Sequence, residues 1–381
     1  MEENVYKKKE KMKIHQYFDG WILPRKFEKN APMWGYGGVC TKEKEFVDAS
    51  FYDGGWAKHG GKYAWDSTEE VVQEKVIYIG IFFAHWGHFL VDLTSRLWIF
   101  TDNTFDCSNY KVAYLGEEEP EGNYLEFFKL LGISENQLIH VKKPTKFQEV
   151  IVPQQGFRPC IWYTEEFQHM FDVLVAKSIC DQKVIERYGD AKRIYFTRGN
   201  FGKAKATEFG EGYMEQCFCK QGYVSIAPEN LSLKEQIYVW NNAKQIVCMN
   251  GSIPLNVAFS KNEKLELLIL NKMSLYHKNP YIFLQMRNIK AQFINVYKEP
   301  FHNYPKSLGE GPYFIYPGKE FREYCRIHHW RYPESKIKFY VYYLGQGFKY
   351  ILSILNIKGK FRNLISRMVP KGLKERLRGV V

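Results

Sequence analysis

Four short apolar runs decide the fold: Arg193-Ile-Tyr-Phe-Thr-Arg198, Tyr223-Val-Ser-Ile-Ala227, Gln245-Ile-Val-Cys-Met249 and Leu265-Glu-Leu-Leu-Ile-Leu270. Segments of helical pattern separate them. The clearest of these, Leu233–Ala243, starts at the capping-box sequence Ser232-Leu-Lys-Glu235. Strands that alternate with helices of this length pair in parallel, and an open parallel sheet binds its ligand beyond the carboxyl ends of its strands. The stretch Lys192–Asn271 therefore predicts a Rossmann-like α/β domain with a nucleotide-type ligand.

Polar groups follow two of these strands. The first runs into Thr197-Arg198-Gly199-Asn200, with Lys203 close behind, and a guanidinium there can hold a phosphate in bidentate fashion. The third runs into Asn250-Gly251-Ser252-Ile253-Pro254-Leu255-Asn256, where glycine permits close backbone approach and a helix N-terminus offers amides to an anion. Taken singly, the Arg is typical of a solvated charge and the Gly-Ser-x-Pro segment of a helix start. Together they predict an anion site.

In order and spacing these segments resemble glycosyltransferase family 61, whose bacterial members are often labelled capsular polysaccharide biosynthesis proteins. The Thr197-Arg198 strand end, the segment Pro228-Glu-Asn-Leu-Ser-Leu-Lys-Glu-Gln236 and the run Asn250–Phe259 correspond to its motifs. The segment His85–Asp92 looks like its aromatic-rich His-x-x-x-Glu/Asp helix. One departure is that Asn250 stands where the family usually has His, and an amide cannot carry the imidazolium charge. The resemblance implies two facing Rossmann-like domains, similar to the GT-B plan, with the general base on the acceptor-side domain.

The N-terminal half predicts a second Rossmann-like domain. Its expected strands and helices are Lys75–Ile79, His85–Phe100, Tyr110–Leu115, Asn123–Leu131, Gln137–Val141, Phe147–Val152 and Trp162–Cys180. The predicted organisation is an extension of loops and short strands in residues 1–70, an acceptor-side domain in 71–185, a nucleotide-sugar domain in 186–300 and a helical, basic extension in 301–381.

A polar stripe is predicted on the helix His85–Phe100. At 100° per residue, His85, His88, Asp92, Ser95 and Arg96 fall within about a quarter turn of one another. His88 and Asp92 are four residues apart, so the carboxylate can orient the imidazole and raise its basicity. The alternative is an ordinary solvated face. The position directly after a strand favours a cleft, with His88 as general base.

Net charge is concentrated at the C-terminal end. The chain carries +12, and residues 336–381 hold eleven Lys or Arg against one acid, Glu375. Aromatic and aliphatic side chains interleave with these charges, and no apolar run approaches the roughly 20 residues needed to cross a bilayer. The pattern predicts an interfacial segment on an anionic membrane surface. The alternative is a helix that packs back on the body, followed by a disordered basic end. A nucleic-acid partner is not expected, because no zinc pattern or nucleic-acid module is present.

These observations together predict an inverting hexosyl- or pentosyltransferase that extends a glycan or lipid-linked glycan of a bacterial capsule or cell wall. The absence of an Asp-x-Asp motif favours a metal-independent reaction in which the nucleotide-diphosphate sugar is a co-substrate and no cofactor takes part. Residues 1–13 are charged and lack an apolar core, which predicts a cytoplasmic protein, peripheral on the inner face of the cell membrane.

Each candidate residue has an expected role. His88, oriented by Asp92, is the base; Arg198, Lys203, Asn250 and the amides after Gly251 hold the diphosphate; Ser252 and Asn256 buttress that turn; Glu229 meets the ribose or the base. Three alternatives stay open. They are a polysaccharide pyruvyl transferase or other non-glycosyl group transferase, a non-catalytic nucleotide-binding partner of a membrane assembly, and a basic membrane scaffold.

Overall fold

The computed structural model describes residues 5–65, 70–199, 201–275, 278–307, 309–333 and 335–355. Within these residues the chain is a mixed α/β protein, as predicted. Two compact units are distinguished. Unit 1 consists of Met1–Ile194, Pro228–Ile269 and His277–Gln292, and unit 2 of Tyr195–Ala227, Leu270–Tyr276 and Phe293–Val381. The predicted domain boundaries and the facing GT-B arrangement remain predictions.

The N-terminal half of the chain carries its own set of elements. The strands are β1 (Ile14–Phe18), β2 (Trp21–Lys26), β3 (Tyr36–Cys40), β4 (Tyr52–Asp53), β5 (Lys58–His59), β6 (Glu70–Phe82), β7 (Lys111–Gly116), β8 (Leu138–His140), β9 (Thr145–Pro153), β10 (Phe157–Arg158) and β11 (Trp162–Tyr163). The helices are α1 (Trp86–Val91), α2 (Asn123–Leu130), α3 (Glu165–Lys177) and α4 (Gln182–Tyr188).

The C-terminal half continues with eight strands and six α-helices among the described residues. The strands are β12 (Arg193–Phe196), β13 (Glu208–Phe209), β14 (Val224–Ile226), β15 (Gln245–Met249), β16 (Glu266–Asn271), β17 (Ala291–Asn295), β18 (Tyr297–Lys298) and β19 (Tyr313–Ile315). The helices are α5 (Gly202–Thr207), α6 (Glu211–Lys220), α7 (Leu233–Asn242), α8 (Asn279–Met286), α9 (Lys319–Ile327) and α10 (Lys336–Leu355).

The N-terminal sheet has seven strands in the order β3-β2-β9-β6-β7-β8, with β1 paired to β9. The pairs of β6 with β9, β6 with β7 and β7 with β8 are parallel, whereas β1, β2 and β3 pair antiparallel. Apolar side chains such as Val76, Tyr78 and Val150 form its buried core. The α/β sheet predicted for the N-terminal half is thus present. Antiparallel strands from residues 14–40 extend this sheet, whereas the sequence predicted only loops and short strands there.

The five-stranded sheet has the order β14-β12-β15-β16-β17. In chain order this reads 2-1-3-4-5, an order typical of doubly wound sheets. All four predicted strands of Lys192–Asn271 are confirmed within two residues at each end. The capping box is confirmed too, since the Ser232 hydroxyl accepts from the Glu235 N–H and the Glu235 carboxylate accepts from the Ser232 N–H.

The predicted helix His85–Phe100 is wrong in its second half. α1 ends at Val91, and Leu93–Thr101 is a 3-10 helix. At the break the Thr94 hydroxyl donates to the Leu90 carbonyl and the Ser95 hydroxyl to the Asp92 carbonyl, both at 2.7 Å, and such bonds compete with the α-helical pattern. A 3-10 helix turns by about 120° per residue, so Ser95 and Arg96 leave the polar stripe and are buried.

Two further elements bear on function. The segment after Gly251 is a 3-10 helix of seven residues, Ile253–Phe259, and the Ser252 side chain makes no capping hydrogen bond. The short 3-10 helix therefore gives little dipole for the predicted anion site. At the other end of the chain α9 and α10 are described helices of the predicted extension 301–381, whose residues 356–381 lie outside the described residues. None of the described helices combines the length and apolarity of a membrane span.

Candidate active site

His88 and Asp92 form the predicted pair. β6 leads directly into α1, where His85 is the N-cap and its side chain accepts from the backbone N–H of His88 at 3.3 Å. His88 Nδ1 lies 2.7 Å from Asp92 Oδ2. With the carboxylate as acceptor, we assign the proton to Nδ1, which leaves the lone pair of Nε2 for an incoming proton. The His88 side chain is one-third exposed, so solvent or a ligand can reach it.

Asp92 is held from a second direction by Tyr52, whose hydroxyl donates to Asp92 Oδ1. Both residues are buried. Burial raises the pKa of Asp92, while the hydrogen bonds from His88 and Tyr52 act to lower it. Burial and the Asp92 charge raise the pKa of Tyr52 well above its ordinary value, so Tyr52 stays a donor. The carboxylate therefore accepts one hydrogen bond on each oxygen, which fixes the plane of the imidazole.

Aromatic rings surround His88, and we call Trp34, Trp56 and Phe83 the aromatic wall. Their ring centroids lie 5.7, 5.7 and 5.8 Å from that of His88. Trp56 is 55% exposed, an unusual state for an indole ring, whereas Trp34 stacks on Tyr52 with ring centroids 5.4 Å apart. An exposed indole face beside an imidazole with a free lone pair is a surface on which a sugar ring can stack.

A buried arginine fixes the loop that delivers Tyr52. The Arg96 guanidinium donates to the carbonyls of Ala49 and Phe51 from Nη2, at 3.0 and 2.9 Å, and to that of Pro153 from Nε, at 3.0 Å. Burial lowers the pKa of Arg96. The predicted place of this residue in the cleft stripe is thus wrong, and it ties the loop to the sheet instead.

The segment after β15 lies against α1 within unit 1. A Cβ atom on Gly87 would come within 2.8 Å of Ser252 Oγ, so glycine is needed for the close approach. Asn256 is buried, accepts from the Trp86 indole N–H at 2.7 Å and donates to Gln236 Oε1 at 3.0 Å. Both polar ends of the amide are thereby used inside the protein, which fits a buttress more than a ligand contact.

The remaining candidates of unit 1 differ in accessibility. Asn250 is buried at the end of β15 and Glu229 is exposed in the 3-10 turn Pro228–Asn230. Gly251 has a φ of 154°. Apart from Gly251 itself and its two chain neighbours, no described residue has an atom within 4 Å of the position that its Cβ would take, so a ligand can approach the backbone there.

Arg198 belongs to unit 2, where it is already engaged. Its Nε lies 3.1 and 3.0 Å from the two oxygens of Glu208, and the same carboxylate accepts from Lys272 Nζ at 2.8 Å. Burial acts to raise the pKa of Glu208, but the charges of Lys272 and Arg198 outweigh it and the pKa is lowered. Two cations thus share one carboxylate. Lys203, in α5, is exposed.

Sequence reasoning missed the partners of these residues. Tyr52 and the tryptophans of the aromatic wall lie in the Gly-, Tyr- and Trp-rich segment Gly35–Gly61 and its border, where no function was predicted. Its high aromatic content was the available signal. Glu208 and Lys272 gave no signal, because charged residues at such positions are common. Among the residues that the structure describes, no group of three His, Cys, Asp or Glu side chains is arranged to hold a metal ion.

The model of the family Glycosyltransferase 61 matches residues 86–266, a little under half of the chain. This match supports the family suggested by the motifs, and with it a glycosyltransferase that takes a sugar donor and a glycan acceptor. The matched span contains His88, Asp92, Arg198 and the Asn250–Asn256 segment. No curated protein matches the chain significantly.

Proposed function

We propose that this chain is an inverting glycosyltransferase that moves a hexose or pentose from a nucleotide-diphosphate sugar to a hydroxyl of a bacterial surface polysaccharide precursor. The observation that carries the proposal is the His88–Asp92–Tyr52 chain. It presents an imidazole Nε2 next to an exposed indole face, inside the span that the family model matches. The doubly wound strand order supports a nucleotide-type ligand.

In the proposed reaction the acceptor sugar stacks on Trp56, and its hydroxyl faces His88. The hydroxyl oxygen attacks the anomeric carbon as the bond from that carbon to the diphosphate breaks, and the diphosphate leaves with the electron pair. The hydroxyl proton passes to Nε2 of His88. Asp92 then faces an imidazolium, whose charge it stabilises at 2.7 Å. Attack on the face opposite the leaving group inverts the anomeric centre.

On the donor side the proposal keeps Arg198, Lys203, Asn250, Gly251 and Glu229 as contacts and Ser252 and Asn256 as buttresses. Glu208 orients the Arg198 guanidinium before a diphosphate binds. The side chains of Arg198, Lys272 and Glu208 together carry one net positive charge. Fixed cations of this kind can balance a leaving diphosphate without a divalent ion. The reaction is proposed to take place in the cytoplasm at the inner face of the membrane.

The test is sugar transfer from a panel of UDP-, GDP-, CMP- and dTDP-sugars, followed by product mass, with and without EDTA. His88→Gln should lower kcat by roughly 100-fold or more, because general base catalysis contributes about that much. The matched control is His85→Gln, since its ring lies 4.8 Å from that of His88 but caps α1. A loss of less than tenfold for His88→Gln, or equal losses in both variants, contradicts the assignment of the base.

A second candidate function rests on Asn250, which stands where the resemblance expects an imidazole. A nucleotide-binding partner without turnover would be stabilised by one nucleotide sugar and give no product with any acceptor. Transfer of a group whose mass is not that of a sugar would instead identify a pyruvyl or related transferase. A basic scaffold would show no stabilisation by nucleotides, and Arg198→Ala would not alter it.

A further inference from the structure

Helix α10 has two apolar faces. One packs within unit 2, where Phe339, Tyr343 and Tyr350 are buried. Tyr343 donates to the carbonyl of Gly210 at 3.2 Å, and the ring of Tyr350 stacks on that of Phe314 with centroids 5.4 Å apart. These contacts hold the helix to the strands β13 and β19 of the same unit.

The opposite face is exposed although it is equally apolar. Its members recur at spacings of three and four residues over the whole helix, which places them on one side. They are Ile337 (77% exposed), Val341 (64%), Leu344 (74%), Phe348 (63%), Ile351 (42%), Leu352 (37%) and Leu355 (48%). We call this set the apolar stripe. A stripe of this length is about 27 Å long at 1.5 Å per residue, and soluble proteins seldom leave such a row in water.

Lysines line both edges of the apolar stripe. At 100° per residue, Lys336 projects on one side of it and Lys338 and Lys349 on the other, and all three are exposed. No Asp or Glu occurs between residues 336 and 355, and eight more Lys or Arg follow in residues 356–381 against one Glu. Apolar residues between rows of lysines suit an anionic lipid surface, in which the apolar groups enter the acyl boundary and the ammonium groups reach the headgroups.

We propose that α10 lies in the plane of an anionic lipid surface and inserts the apolar stripe. A second copy of the chain fits this face less well, since two such helices would bring their lysine rows together without an acid between them. The inference assigns the membrane contact of the proposed function to helix α10, and it rests on that proposed function. Lipid binding is nevertheless measured without donor or acceptor, so it can succeed where sugar transfer fails, and the reverse.

The experiment is flotation of the full chain with vesicles of phosphatidylcholine alone or with about one-third phosphatidylglycerol. Wild type should float with the anionic vesicles, and less with neutral vesicles or at high salt, because screening weakens the lysine contribution. Leu344→Glu/Phe348→Glu should reduce the bound fraction at least tenfold. Leu344→Ser/Phe348→Ser should reduce it less. The matched control is Val224→Glu/Ile327→Glu, which adds the same charge at two exposed apolar positions of the same unit.

Three results would overturn the proposal. Wild type could stay at the bottom of the gradient with anionic vesicles. The stripe variants could float as wild type does, which would assign binding to the basic sequence after residue 355. Sedimentation velocity could show a wild-type dimer that the stripe variants dissociate, which would make the stripe a self-association surface. Unchanged thermal melting of the serine variant serves as the check that loss of binding is not loss of fold.

Discussion

Glu211 should make the stability of the protein fall as pH rises, and Glu211→Gln should remove that fall. The side chain is 5% exposed and its Oε1 accepts from the Arg198 N–H at 3.0 Å and from the Tyr195 hydroxyl at 3.3 Å. Burial raises the pKa of Glu211 to about 7, from an ordinary 4.5, and the negative charges of Glu208 and Glu215 add to the rise. Glutamine keeps the acceptor oxygen and removes the charge.

The direction in which stability changes with pH follows from the raised pKa of Glu211. The folded state binds the Glu211 proton more tightly than the unfolded state does. The stabilisation that this proton gives is therefore complete below pH 4.5 and is lost as pH rises through 7. A pKa raised by about 2.5 lowers the free energy of unfolding by about 3 kcal/mol above pH 7. Glu211→Gln should therefore gain about 3 kcal/mol over wild type at pH 8.5, and less than about 1 kcal/mol at pH 5.

The assay is urea denaturation of both proteins at the two pH values. Glu263→Gln is the control, because Glu263 is exposed and the substitution removes a carboxylate outside the group of Glu208, Glu211 and Glu215. The test is whether the difference in unfolding free energy between variant and wild type changes with pH, because any effect of the substitution on packing is the same at both pH values. A difference between variant and wild type that does not grow from pH 5 to pH 8.5 refutes the reasoning.

Three further predictions concern the active site. Gly87→Ala should destabilise the protein by about 1 kcal/mol through its contact with the Ser252 hydroxyl, and the cost should disappear in a Ser252→Ala background, as a double-mutant cycle of melting would show. Trp56→Ala should raise KM for the acceptor roughly tenfold, about 1.4 kcal/mol, with donor binding unchanged in thermal shift; an equal loss for donor would argue against stacking at this ring. Tyr52→Phe should leave one oxygen of Asp92 without its donor, lower stability by about 1–3 kcal/mol and move the pH optimum of kcat, whereas a mere packing role would leave the pH profile unchanged.

Local signals in the sequence were read correctly. The capping box at Ser232 and the helix that starts there depend on residues within a few positions of each other, and both are confirmed. The pair of His88 and Asp92 depends only on helical spacing over one turn. The hydrogen bond between them was therefore predictable, while the catalytic role of His88 stays a prediction.

Long-range contacts were not readable. Tyr52 reaches Asp92 from forty positions earlier, and no spacing rule connects a loop to a helix across such a distance. Arg198 and Glu208 are closer together in sequence. Their contact depends on β13, however, and a strand of two residues gives no recognisable sequence pattern. The 3-10 turn after Asp92 was missed because hydroxyl groups at Thr94 and Ser95 are neutral on a scale of helix propensity.

The aromatic wall and the proposed base, His88, differ in their position relative to the match with the family model. Trp34, Trp56 and Phe83 all precede residue 86, where the match to the family model begins, whereas His88 and Asp92 fall inside it. The proposed base and the rings proposed to face the acceptor thus lie on separate stretches of chain, and Tyr52 of the first stretch donates to Asp92 of the second. Exchange of the aromatic residues at positions 34, 56 and 83 alone would therefore change the surface proposed to face the acceptor and leave the hydrogen-bonded chain of Tyr52, Asp92 and His88 in place.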